Sequence, residues 1–133
     1  MTKLFDIAQN WLNQDPDAET HAELTALLTA AKNGDEKAHA DLQARFSDRL
    51  QFGTAGLRGP LQAGSMGMNR VLVAQAAGGL ADYLKDYDKQ PSIVIGYDGR
   101  KNSDVFARDT AEIMAGAGVK AYLLPRKLPT PVL

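Results

Sequence analysis

Two short runs in this chain pair glycines with an arginine, and both could do chemistry on an anion. In the first, Phe52-Gly53-Thr54-Ala55-Gly56-Leu57-Arg58-Gly59, glycine recurs at every third position. Glycine lets a backbone approach a ligand closely and turn its N–H groups toward it. Thr54 adds a hydroxyl, and Arg58 adds a planar cation whose forked donors suit the oxygens of a phosphate. That combination describes an oxyanion site. It also describes a glycine-rich connection with an arginine on its surface, and the local sequence leaves both readings open.

The second run, Gly96-Tyr97-Asp98-Gly99-Arg100, directly follows the apolar stretch Ile93-Val94-Ile95. In open α/β sheets, ligands bind beyond the carboxyl ends of the strands, which is where this run would fall. Asp98 can orient Arg100 as a second positive group, or the pair can serve only to fix the loop.

The elements that must position these runs differ along the chain. Residues 1–49 are rich in Ala, Leu, Glu, Asp, Lys and Gln and read as a helical extension. Phe5, Ala8, Trp11 and Leu12 repeat at helical spacing, as do Leu24, Leu27, Leu28 and Ala31. A third helix fits residues 35–46, with Ala38, Leu42 and Phe46 on one face. Pro16 and Asn33-Gly34 punctuate the three. His21 and His39 lie on these helices without ligand-type residues at matched spacing, so they are expected at the surface and not on a metal.

From Leu50 the composition shifts to glycine and β-formers. Residues 51–60 read as a short extended piece broken by glycines. Asn69 can cap a helix reaching Lys85, with Val73, Ala76, Ala77, Leu80 and Leu84 as its buried stripe. Gly78-Gly79 inside that helix costs about 1 kcal/mol per glycine relative to alanine, and so predicts close approach of another backbone. Met66 and Met68 read as packing residues. Residues 92–96 predict a buried parallel strand. Asn102 or Ser103 caps a following helix with Phe106, Thr110, Ile113 and Met114 on one face, Gly116 and Gly118 end it, and residues 119–124 form a second strand. Strand, helix and strand make a βαβ unit with a right-handed crossover. The predicted class is α/β: a three-layer αβα domain over residues 50–133, with a mixed and mostly parallel sheet that is incomplete here. The chain closes on Pro129-Thr130-Pro131-Val132-Leu133, an apolar finish from which further polypeptide is expected.

Composition narrows the function classes. Fifteen basic side chains face sixteen acidic ones, a formal net charge of -1, so no bulk charge attracts nucleic acid or an anionic membrane. Neither is expected as a partner. Without cysteine there is no disulfide framework, thiolate metal site or cysteine nucleophile, which fits a reducing cytoplasm. The first fifteen residues hold no apolar stretch of the signal-peptide kind. No nucleoside-triphosphate loop, dinucleotide fingerprint, calcium loop or acyl-transfer triad is present.

In its two glycine–arginine runs, and in Leu128-Pro129-Thr130-Pro131 after a strand, the chain resembles the α-D-phosphohexomutase superfamily, which includes phosphoglucomutases and phosphomannomutases. The likeness runs from Leu50 to Leu133, and the helical extension resembles the longer branch that contains phosphopentomutases. The resemblance implies the amino-terminal part of a four-domain cytoplasmic enzyme. Such an enzyme moves phosphate between the C1 and C6 (or C5) oxygens of a sugar phosphate. It works through a phosphoserine, a magnesium ion and a sugar bisphosphate that also serves as activator. It implies Arg58 as the catalytic arginine beside the phosphoserine and Thr54 and Arg100 as further phosphate-binding candidates. Gly53, Gly56, Gly59 and Asp98 then become supports of the site. The serine loop and the metal loop of the family are expected beyond Leu133. The polypeptide alone is therefore expected to be inactive, to hold no metal or cofactor specifically, and to self-associate through its exposed sheet edge. The competing expectation is a standalone phosphate-binding or interaction domain without catalysis.

Overall fold

A computed structural model describes every residue except Met1, Ala55, Thr130, Val132 and Leu133, together with the Thr2 side chain. The chain divides into two compact units, Met1–Leu72 and Val73–Leu133. Composition changes at Leu50, whereas packing changes some twenty residues later, because residues 50–72 fold against the helices.

The first unit contains α1 (Thr2–Gln14), α2 (Ala18–Lys32) and α3 (Glu36–Arg45). Asp17 caps α2 by accepting from the Glu19 N–H, and Asp35 caps α3 by accepting from the Ala38 N–H. Between them the chain reverses within three residues. Gly34 sits at φ 92°, in the left-handed region that side chains disfavour. The Gly34 and Asp35 N–H groups return to the Ala31 and Ala30 carbonyls, which satisfies the open end of α2. The predicted apolar faces meet in one core: Ala8, Trp11, Leu12, Leu24, Leu28, Ala31 and Leu42 are buried, with Leu27, Ala38 and Phe46 packed at its margin. Ala63, Val71 and Leu72 join the same core from the segment after the helices. His39 departs from the surface reading. It is half-buried, with its ring set edge-on against Phe5 at 6.0 Å and its Nε2 shielded from solvent.

The helix predicted after Asn69 forms as α4 (Arg70–Tyr87), and its residues from Val73 onward lie in the second unit. There it is joined by β1 (Ser92–Ile95), α5 (Ser103–Gly116) and β2 (Lys120–Leu123). β1 and β2 pair in parallel, with Ile93 opposite Ala121 and Val94 opposite Tyr122. One core holds Ala77 and Ala81 from α4, Met114 from α5 and Val119, with Ile93 and Ala121 against it. Helices α4 and α5 therefore cover the same face of this small sheet. The opposite face is open: Val94 is 53% exposed and Tyr122 49%. An α/β domain with one helical layer in place is the architecture observed among the described residues, preceded by the helical region.

Three expectations for this unit are corrected. Leu80 is exposed and Ala81 takes its place in the core, because the helix presents a stripe rotated from the predicted one. An added Cβ at Gly78 or Gly79 would meet nothing within 4 Å, so no neighbouring backbone among the described residues requires that pair. β1 is buried only at Ile95, since a strand is buried on both faces only when both are covered.

The end of α5 follows from its sequence. Gly118 adopts φ 89°, and the Val119 and Gly118 N–H groups bond the Met114 and Ala115 carbonyls at 2.8 and 3.1 Å. Buried Met114 and Val119 flank this reversal, the apolar contact that accompanies such a stop. No helix among the described residues is long and apolar enough to cross a membrane.

Candidate functional site

The first glycine–arginine run is a tight loop of the first unit. Gly53 and Gly56 exchange backbone hydrogen bonds of 3.0 and 3.2 Å, closing the loop between them; Thr54 stands in a turn, and Ala55 lies outside the described residues. Gly56 stands at φ 95°, so glycine is required there by backbone conformation. Gly59 has a different role. A Cβ at this position would come within 2.6 Å of the Leu50 Cδ1, so its hydrogen allows the Leu50 side chain to close over the loop's base. The sequence reading aimed the glycine N–H groups at a ligand. Those of Gly53 and Gly56 are instead taken up by each other's carbonyls, while the side chains of Thr54 and Arg58 extend the loop's polar reach. Both are exposed, whereas Leu57 turns inward against the helical core. No side chain among the described residues pairs with the Arg58 guanidinium.

The second run begins at the carboxyl end of β1, as expected. Asp98 builds the loop: its Oδ1 accepts from the Arg100 backbone N–H at 3.1 Å and from the Ser103 hydroxyl at 2.7 Å. Its Oδ2 lies 3.5 Å from the Arg100 Nε. The Ser103 hydroxyl, and after it the Arg100 N–H, hold the Asp98 carboxyl below the usual carboxylate range. Asp98 thus also anchors the start of α5. Asn102 occupies the position before that helix at φ 67°, but its side chain makes no capping bond. The Arg100 side chain is 86% exposed, so the ion pair directs it weakly.

Each unit keeps its own candidates together: Gly53, Thr54, Gly56, Arg58 and Gly59 on one loop of the first, Asp98 and Arg100 on one loop of the second. Sequence reasoning read Ser103 only as a possible helix cap and missed its bond to Asp98, although a hydroxyl five residues after an aspartate at a helix start was an available signal. It also missed the approach of a further segment. The Leu124 and Leu128 N–H groups bond the Ile95 and Tyr97 carbonyls, both at 2.9 Å. Residues 124–128 thereby run beside the end of β1, carrying exposed Arg126 and Lys127.

Two other features bear on function. A groove of about 250 Å³ lined by Ala31, Gly34, Asp35, Glu36 and His39 shares no residue with either loop. Among the described residues no three His, Asp or Glu side chains cluster closely enough to hold a metal ion. The magnesium ion implied by the family resemblance therefore finds no donor set among the described residues.

A family model described as phosphoglucomutase/phosphomannomutase, alpha/beta/alpha domain I, matches residues 49–133. The chain is similar to a probable phosphomannomutase of Haemophilus influenzae, 94% identical over 68 residues, which is 51% of this chain and 14% of that protein. It is similar to a phosphoribomutase of Saccharomyces cerevisiae, 41% identical over 122 residues, or 91% of this chain and 19% of the relative. A glucose 1,6-bisphosphate synthase of Homo sapiens is 35% identical over 131 residues, 91% of this chain and 20% of the relative. The latter two matches extend into the helical region that precedes the family model. No solved structure matches the chain. The chain spans about a fifth or less of the length of these curated relatives.

Proposed function

We propose, because the chain belongs to the phosphoglucomutase/phosphomannomutase family and carries its α/β/α domain I, that it supplies part of the active site of a sugar phosphomutase. In this reading Arg58 faces the phosphoryl group in transit between the enzyme and a phosphorylated sugar. A transferring phosphoryl group spreads negative charge over its oxygens, and donors fixed in advance stabilise that charge most effectively. The observation that carries the reading is the Arg58 loop itself. Its turn is closed by reciprocal Gly53–Gly56 bonds, its base is packed through Leu57, and its cation is presented to solvent without a carboxylate partner among the described residues. Thr54 offers a hydroxyl from the same turn. Arg100 presents a second guanidinium from its own unit, with Asp98 and Ser103 bracing the loop beneath it.

The names of the relatives span mannose, glucose and ribose phosphates. The substrate class that follows is a sugar monophosphate, exchanged by way of a bisphosphorylated sugar. The nucleophile and the metal site are assigned to other parts of the protein, so the 133-residue polypeptide alone should turn over no substrate. The decisive experiment is Arg58→Ala in the intact mutase that contains this chain. Removing one charge-assisted donor from a developing anion is expected to lower turnover about 100-fold or more. Turnover within a few-fold of the unaltered enzyme would refute the role given to Arg58.

A further inference from the structure

The glycine loop does not stand on its own stem. Both of its ends are fastened to the segment that follows it. At the entry, the Leu50 N–H bonds the Ser65 carbonyl at 2.9 Å; at the exit, the Met68 N–H bonds the Pro60 carbonyl at 2.8 Å, and Leu61 bridges Met68. Residues 62–68 are in turn held from two directions. From within, buried Asn69 donates its side-chain amide to the Gln62, Gly64 and Gly67 carbonyls at 2.8 to 3.2 Å, and its Oδ1 accepts from the Leu72 N–H. From the helical region comes a second clamp. Glu23 of α2 accepts through one oxygen both from the Arg45 guanidinium and from the Ala63 N–H, the latter at 3.1 Å. Arg45 of α3 also bonds Asp41 at 3.1 Å and reaches the Ala63 carbonyl at 3.5 Å, while its own carbonyl accepts from the Met66 N–H at 3.0 Å. Gly64, at φ 104°, lies so close that an added Cβ would stand 2.8 Å from that same carbonyl.

We propose that Glu23 and Arg45 are positioning residues for the Arg58 loop: the helical region is the frame on which that loop is set. Burial alone would weaken the charge on Arg45, yet the hydrogen bonds to Glu23 and Asp41 outweigh it and hold the guanidinium firmly protonated. The cationic side of the clamp thus keeps its charge. A charge-assisted bond is roughly twice as strong as a neutral one, and this one ties a backbone N–H of the loop segment to two helices at once. The inference rests on the reading that the Arg58 loop meets a phosphoryl group, but its test does not.

The test is amide hydrogen exchange of the full 133-residue chain, which reads local opening residue by residue. Glu23→Ala removes the acceptor of both bonds. Exchange at Leu50, Met66 and Met68 is expected to rise about tenfold or more, while Leu12 in α1 and Leu28 in α2 stay within about twofold. Glu23→Gln keeps an oxygen for Ala63 and Arg45, and should restore most of the protection. Leu28→Ala serves as the comparison that lowers stability without touching the clamp. An unchanged loop in Glu23→Ala overturns the proposal. So does a uniform rise across helices and loop, as does a pattern matching Leu28→Ala. Loss of loop protection with no phosphate chemistry at Arg58 would leave the clamp standing and sink only the reading of the site.

Discussion

In the helical unit, apolar side chains from α1, α2 and α3 converge on a core that residues 50–72 close over, leaving Leu24, Leu42 and Ala63 fully buried. In the α/β unit, the same kind of side chains cover only one face of a two-stranded sheet, and Val94 and Tyr122 on the other face stay in solvent. The difference lies in how many surfaces each element must hide. A helix hides one stripe, and three helices with a loop suffice. A parallel strand must hide two faces and two edges, and a pair of strands with helices on one side does not achieve that.

Substitutions can break this contrast or sharpen it. The largest effect is expected from Leu42→Ala, which leaves a cavity in a core already closed and should cost about 2–5 kcal/mol in a urea titration. Val94→Ala on the open face should stay within about 0.5 kcal/mol. Equal losses would mean the two units are packed alike. Glycines give the next test. Gly118→Ala forces a side chain into the left-handed region at the end of α5 and should cost about 1–2 kcal/mol. Gly79→Ala, exposed and unobstructed within α4, should stabilise by about 1 kcal/mol, both readable as shifts in the thermal midpoint.

The open sheet face should also drive self-association. Light scattering is expected to show dimers or larger species at high concentration, and Val94→Lys should reduce them with little change in folding stability. A chain that stays monomeric before substitution removes this expectation. The smallest effect concerns Asp98. Its carboxyl is held low in the folded state, so its stabilising contribution is present above the ordinary value of about 3.9 and is lost as pH falls through the lowered one. Ser103→Ala should move the Asp98 titration upward toward the ordinary value, as followed by carboxyl carbon resonances. No movement would mean the hydroxyl does not govern that group.

Much of the secondary structure was legible because its causes are local. Asp35 and Asn69 mark helix starts, and Gly34 and Gly118 mark helix ends, by bonds that reach only a few residues. The Gly-Thr-Ala-Gly-Leu-Arg-Gly run was legible as a candidate for the same reason, and the family match upheld the family it pointed to. Less legible was what those glycines do. Spacing alone could not show that Gly53 and Gly56 bond each other, or that Gly59 makes room for Leu50. The predicted burial of Leu80 failed because an amphipathic stripe is broad, and the neighbour that selects its centre, here the Met114 and Val119 side of the core, is distant in sequence.

By itself, then, the order of residues determined helices, strands, turns and the position of two cationic loops, since caps, periodicity and glycine conformations act over one or two turns of chain. Only tertiary structure decided that Glu23 and Arg45, twenty-two positions apart, would meet over the Ala63 backbone. Only it decided that residues 50–72 would fold with the helices and that one sheet face would stay open. Those outcomes depend on which surfaces are buried together, a property no short window of sequence contains.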